Sequence, residues 1–274
     1  MPSEGKKQNK VISYETILLN KEQGAATISL NRPELRNAIN LQMIREITSV
    51  IELLNNDNTI RLIIFNSTGA NFCSGADLNW MKEGMNQSED QLRKESLELA
   101  KFFRTIWESS AITISAVKGF IPGGAIGILA ASDFVVAEDT AVLTFSELKM
   151  GLIPATIAPY VLRKAGFSRT SDWMMTGRSI DALEARDAGL IQRICEEGLL
   201  EISTGKLREE LLIKGAHALR DLKLFLRRLE GINNQDELDT FTSQIIAGLR
   251  VSSEAQEGMN AFFQKRKPDL DGGD

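Results

Sequence analysis

The chain is poor in the side chains that most often carry catalysis. A single histidine, His217, is present, which removes most metal-site and Ser-His-Asp readings at once. It lies in the helical stretch "KGAHALRDLKLFLRR" and reads as a structural or surface residue. The only cysteines, Cys73 and Cys195, are far apart and lack metal-site spacing, which fits a reducing compartment without a structural disulfide. Cys73 abuts a Gly-rich turn, where a small buried hydrophobe is the better reading than a reactive thiol. No apolar run reaches the roughly 18 residues of a membrane span, since "AITISAVKGFIPGGAIGILAA" is broken by Lys118, Pro122 and glycines. The first ten residues, "MPSEGKKQNK", have no apolar h-region and no Arg-rich amphipathic pattern, so a mobile tail on a cytoplasmic protein is expected. The net charge of −5 argues against a general nucleic-acid surface.

What is present suits one large α/β domain of 274 residues with a helical appendage. Ile12–Leu19 and Ala25–Leu30 alternate apolar and polar residues around a Gly-containing turn, the pattern of a hairpin. Ile44, Ile47, Ile51 and Leu54 recur at helical spacing. "IRLIIFNSTG" and "AITISAV" read as core strands, "AIGILAASD" as a helix of small residues, and "FVVAED" and "AVLTFSE" as short strands. Ser179-Ile180-Asp181-Ala182 followed by Glu184 reads as a helix start with an acidic first turn. Beyond Pro154 the pattern is mostly helical.

Two loops share one design. In "CSGAD" and "PGGA" a strand ends, small residues follow and a helix begins. Backbone N–H groups at such a start have no internal partner and can donate to an anion. Two donors converging on a carbonyl oxygen at about 2.7–3.1 Å form an oxyanion hole, each worth about 3–4 kcal/mol to a developing enolate. Either loop alone is better explained by tight packing of a helix.

The blocks "NRPELRNAIN", "FCSGADLNWMKE", "VKGFIPGGAIGILAASDFVVAED", "FSELKMGLIPA", "GRSIDALEARDAGLIQRI" and "EAQEGMNAFFQKRK" resemble the crotonase (enoyl-CoA hydratase/isomerase) superfamily, in order, from about Ile12 to Lys267. The resemblance implies an α/β fold, a β-β-α superhelix with a helical carboxy-terminal subdomain. Its boundaries are a tail over 1–10, a core over 11–200 and a helical trimerisation region over 201–274. It implies an acyl-CoA substrate, with coenzyme A entering as part of the substrate and no separate cofactor or metal. A homotrimer or dimer of trimers is implied, with neither nucleic acid nor membrane as partner. The N–H groups of Ala76 and Gly124 would hold the thioester oxygen.

In the two-glutamate hydratases of this superfamily, one acid follows the Gly-Gly turn and the other precedes the "GLIP" turn. Here the first position is Gly127 and the second is Glu147. Read alone, Glu147 is a helix cap or a partner for Lys149; with the family position added, it becomes the catalytic candidate. Arg36, Ser74, Asp77, Phe262 and Lys265 are the implied CoA contacts, and Trp80, Met81, Gly127 and Ile157 the implied acyl pocket. "GADLNWMK", "GLIPATIAPYVLRKAG" and Gly127 are similar to bacterial methylglutaconyl-CoA hydratases of leucine degradation. The expectation is therefore reversible hydration of a branched enoyl-CoA, possible substrates including 3-methylglutaconyl-CoA. An enoyl-CoA isomerase, a carrier-protein-linked dehydratase or decarboxylase of polyketide β-branching, and a non-catalytic homologue are the alternatives.

Overall fold

Turn chemistry sets the first element of the fold. Residues 11–270 are described from a computed structural model, so the tail expected over 1–10 lies outside the described residues. Strands β1 (Ile12–Ser13), β2 (Ile17–Glu22) and β3 (Ala25–Leu30) pair antiparallel. Gln23 and Gly24 join β2 to β3 with φ of 44° and 76°, the two-residue geometry whose twist matches a hairpin.

Helix α1 (Leu41–Asn55) starts where the Asn40 side chain accepts the Met43 N–H, and it buries Met43, Ile44, Ile47, Val50, Ile51 and Leu54. Strand β4 (Leu62–Ser67) then lies parallel to β3. Helix α2 (Leu78–Gly84) is followed by α3 (Glu89–Glu108), whose start carries a Ser88–Gln91 capping box. The buried residues of α3, namely Phe102, Phe103 and Ile106, sit near its carboxyl end. Strand β5 (Ile112–Val117) is buried along its whole length, as a central parallel strand must be.

Strand β6 (Phe120–Pro122) leads into α4 (Gly124–Ala131), which is buried from Ala125 to Ala131 because small residues let neighbours approach on every side. Strands β7 (Phe134–Glu138) and β8 (Val142–Thr144) follow, then α5 (Ala158–Thr176), β9 (Ser179–Asp181), α6 (Ala182–Asp187) and β10 (Arg193–Cys195). The larger sheet has the order β1-β2-β3-β4-β5-β7-β10, and a second sheet has the order β6-β8-β9. From β3 onward the larger sheet is parallel, so the loops at its carboxyl ends are the natural place for a ligand site.

Three short strands depart from the sequence reading. Phe120–Pro122 is β6 rather than turn, and Ser179–Asp181 is β9, so the α6 helix begins only at Ala182, with Asp181 as its cap. Arg193–Cys195 forms β10 in a stretch read as helical. Three residues are too few to show a period of two, and their pairing comes from strands distant in the chain.

The chain divides into two units, the second beginning at Lys206, inside helix α7 (Leu200–Leu212). The second unit continues with α8 (Ala216–Leu229), α9 (Gln235–Arg250) and α10 (Ser253–Phe263). Within it Phe225 and Phe241 stack at 5.6 Å, and α10 packs on both α8 and α9. Among the described residues, no helix is long and apolar enough to cross a membrane.

Candidate active site

Three segments of the first unit converge. The first is the loop Ser74–Asp77, which is laid along residues 36–39 by backbone hydrogen bonds. Ser74 N–H donates to Arg36 (3.0 Å), Ile39 N–H to Gly75 (2.8 Å) and Asp77 N–H to Ile39 (2.8 Å). In this parallel bridge between Ile39 and Ala76, Ile39 engages the residues flanking Ala76, so the Ala76 N–H faces away from it. Ala76 itself is exposed.

The second segment is the turn at Gly123–Gly124. Gly123 has φ 54° and ψ −125°, and its N–H donates to Thr144 O at 2.9 Å. Gly124 opens α4, where an N–H has no acceptor within the helix, and nothing stands within 4 Å of where its β-carbon would be. The two loops touch: a β-carbon on Gly75, at φ 87°, would lie 3.1 Å from Pro122 O. A side chain there would force the loops apart.

The third segment carries the acid. Glu147 opens a 3-10 turn over Glu147–Met150, just after β8, and Gly151 ends that turn in the left-handed region at φ 70°. One carboxylate oxygen, Oε1, lies 3.0 Å from the β-carbon position of Gly123. The other, Oε2, is buried and has no hydrogen-bond partner. Burial therefore raises the Glu147 pKa, with the backbone N–H groups of Glu147 and Ser146 pulling weakly the other way. No ion pair to Lys149 forms among the described residues; Lys149 is exposed.

Gly127 does not face open space. A β-carbon there would run into Ile157 Cγ2 and the Phe103 ring, closer than side chains can approach. Ile157 and Phe103 are both buried, and Phe103 continues to Tyr160 at 6.3 Å between ring centroids. The space beside Gly127 is filled by apolar side chains. Expected as pocket lining, Gly127 is instead closed over by Phe103 and Ile157, because α3 and α5 both pack on α4.

Asp77, expected among the CoA contacts, is buried and otherwise engaged. It caps α2 by accepting from Asn79 N (2.8 Å) and Trp80 N (3.4 Å), and it pairs with Arg32 at 2.9 Å. Burial opposes its ionisation, but those N–H groups and the guanidinium outweigh it and hold the pKa below the usual 3.8. This is the work of a residue that orders the loop. Ser74 donates its hydroxyl to Leu35 O at 3.3 Å, and Arg36 is exposed with φ 51°.

Trp80 packs partly buried against the core, and its indole N–H donates to Glu95 at 2.7 Å; Met81 is half-buried on the same helix. Phe262 is 77% exposed at the end of α10, and Lys265 follows with φ 55°. These two belong to the second unit. Cys73 is fully buried and its thiol is pushed up to about 12 by desolvation, which removes it as a nucleophile. His217 is exposed on α8. Among the described residues, no cluster of three or more His, Cys, Asp or Glu could hold a metal.

Sequence reasoning missed Arg32 and Asn37. Asn37 adopts φ 56° and ties three strands of chain together. Its Oδ1 accepts Arg32 N (2.8 Å), and its amide donates to Thr68 O (2.8 Å) and Asn71 O (3.0 Å). An Asn that tolerates the left-handed region was a local signal for such a turn.

The model of the family described as enoyl-CoA hydratase/isomerase matches residues 20–273. The chain belongs to the enoyl-CoA hydratase/isomerase family. Its fold is the crotonase fold, mixed α/β with a central sheet and, among the described residues, ten α-helices. The crystal structure of an enoyl-CoA hydratase from Shewanella pealeana is similar at TM-score 0.88 and 34% identity, over 93% of this chain and 95% of that one. An enoyl-CoA hydratase/isomerase from Marinobacter aquaeolei gives 0.88 and 29%, over 94% and 100%. A trans-2-decenoyl-[acyl-carrier-protein] isomerase of Streptococcus mutans is 26% identical over 263 residues, covering 95% of this chain and 100% of the relative. The protein is accordingly an enoyl-CoA hydratase-like enzyme of this family.

Proposed function

We propose that this enzyme reversibly adds water to a branched enoyl-CoA, with 3-methylglutaconyl-CoA as the first substrate to test, using Glu147 as its single acid–base group. The observation that carries this reading is the buried, unpartnered Oε2 of Glu147 beside Gly123, with the Gly127 position closed by Phe103 and Ile157. One carboxylate then handles every proton. The Glu147 carboxylate takes a proton from water as the water oxygen bonds to C3. The C2=C3 electron pair moves onto the thioester oxygen as an enolate. The N–H groups of Ala76 and Gly124 donate to that oxygen, and Glu147 returns its proton to C2 as the enolate collapses. The choice of a branched acyl chain rests on the sequence blocks that resemble methylglutaconyl-CoA hydratases. Arg36, Ser74, Phe262 and Lys265 are the proposed CoA contacts, and Trp80, Met81 and Ile157 the proposed acyl wall.

A homotrimer or dimer of trimers in the cytoplasm, without a separate cofactor, completes the proposal. A second reading is double-bond isomerisation. It is favoured by the similarity to the Streptococcus mutans trans-2-decenoyl-[acyl-carrier-protein] isomerase, with Glu147 again the one proton carrier.

The test is a mass-resolved assay with 3-methylglutaconyl-CoA. Gain of one water, lost in Glu147→Gln, supports the proposal. A moved double bond without mass gain on other enoyl-CoA esters replaces it with the isomerase.

A further inference from the structure

Thr144, the last residue of β8, stands between two turns. On one side its carbonyl accepts the Gly123 N–H at 2.9 Å. On the other its hydroxyl donates to Gly177 O at 3.1 Å, and a β-carbon on Gly177 would lie only 2.8 Å from Phe145 O. Gly177 ends α5 in the left-handed region at φ 58°, so the turn can press against the strand. The backbone also pairs here, Thr144 with Ser179. The short segment leading to Glu147 is thus gripped from both sides.

The residue after Gly177 is itself tied to two helices. Arg178 Nε and Nη2 donate to Asp172 Oδ2 at 3.1 and 2.6 Å, while Nη1 donates to Glu184 Oε2 at 2.7 Å and Nη2 reaches Glu184 Oε1. Asp172 belongs to α5 and Glu184 to α6. Glu184 is itself fixed, since Oε1 also accepts the indole N–H of the fully buried Trp173 at 2.9 Å. An Arg fork held by two carboxylates restrains direction as well as distance. Pairs at such an exposed edge add little to stability. Neither half of this cluster touches the site described above.

We propose that Arg178 is a positioning residue for Glu147, acting through the Gly177 turn and Thr144, on the reading that Glu147 is the proton carrier. Loss of the fork frees the turn, the end of β8 follows it, and the carboxylate leaves its seat beside Gly123. Displacements of about 1 Å in a reacting group cost as much as 100-fold in rate.

The experiment uses the full-length protein with carboxyl-labelled glutamate. The Glu147 signal is assigned by its absence in Glu147→Gln, and its titration is followed by NMR in wild type, Arg178→Met and Thr144→Val. The second variant removes only the hydroxyl link to Gly177 and guards against failure of Arg178→Met to fold. The expected result is that the Glu147 titration moves toward the ordinary glutamate range in both folded variants. In the same variants kcat falls about 10- to 100-fold at unchanged KM for the CoA ester. A Glu147 titration identical to wild type in a folded variant overturns the proposal, even if the melting temperature has dropped. If Glu147→Gln keeps full turnover, the functional reading fails instead, and the titration arm still decides whether Arg178 positions this carboxylate.

Discussion

A carboxylate oxygen of Glu147 lies 3.0 Å from the point where a β-carbon on Gly123 would stand. The acid therefore rests on bare backbone at the start of the turn that presents the Gly124 N–H. Gly123→Ala would push the carboxylate away and strain a backbone held at φ 54°. The same glycine thus brings together the proposed acid and a proposed oxyanion donor.

Replacing Glu147 by Gln keeps its volume and removes its ability to carry a proton. Turnover is expected to fall about 10²- to 10⁴-fold with KM little changed. Steady-state kinetics on whichever enoyl-CoA ester is turned over check this. A loss confined to KM would assign Glu147 to binding.

Burial raises Glu147 above its usual value of 4.5. Between the unfolded and folded pKa values the folded protein holds a proton that the unfolded chain has released, so stability from this group is full below 4.5 and lost as pH rises through the folded value. Glu147→Gln should accordingly melt at or above the wild-type temperature near neutral pH, with the gap closing in acid. Because the carboxylate form starts the reaction, kcat should rise with pH through a limb above the ordinary glutamate range. Calorimetry across pH and a kcat profile test the two halves separately.

Gly127 and Gly124 should respond in opposite ways to one added methyl. At Gly127 the methyl meets Phe103 and Ile157, so Gly127→Ala should destabilise by about 1–3 kcal/mol. At Gly124 the space is open, and Gly124→Ala should leave stability unchanged or raise it by up to about 1 kcal/mol. Turnover should nevertheless fall in Gly124→Ala, since the methyl enters the space proposed for the thioester. Denaturant melts beside kinetics on both variants check the contrast.

The Arg32–Asp77 pair holds the Ala76 loop at the start of α2. Asp77→Ala removes the cap and leaves a mostly buried guanidinium without its partner, a loss of about 3–5 kcal/mol. Asp77→Asn keeps an acceptor for the Asn79 N–H and should lose less. Since the Asp77 pKa is held low, its contribution is present above 3.8 and lost as pH falls through the folded value. Urea melts at neutral and acid pH for both variants test this, and equal losses would mean that the cap contributes nothing.

Helix α1, the first hairpin and the central strands were legible in the sequence because each has its own local signal. Those signals are apolar residues at helical spacing, a Gly-containing turn and a continuous apolar strand. The two small-residue loops were legible as candidates because loop chemistry is written in consecutive residues, whereas Glu147 became one only through its position in the family resemblance. Strands β6, β9 and β10 were not, because three residues acquire strand form only from their neighbours in space. Nor could the sequence show that Gly75 meets Pro122, that Phe103 fills the space at Gly127, or that Asp77 is engaged by Arg32. Local composition alone determined which groups could donate, accept or carry a proton. Packing between segments far apart in the chain decided which of them were left buried and unpartnered. A carboxylate becomes a usable base only when its surroundings withhold the water and hydrogen bonds that would otherwise stabilise its charge.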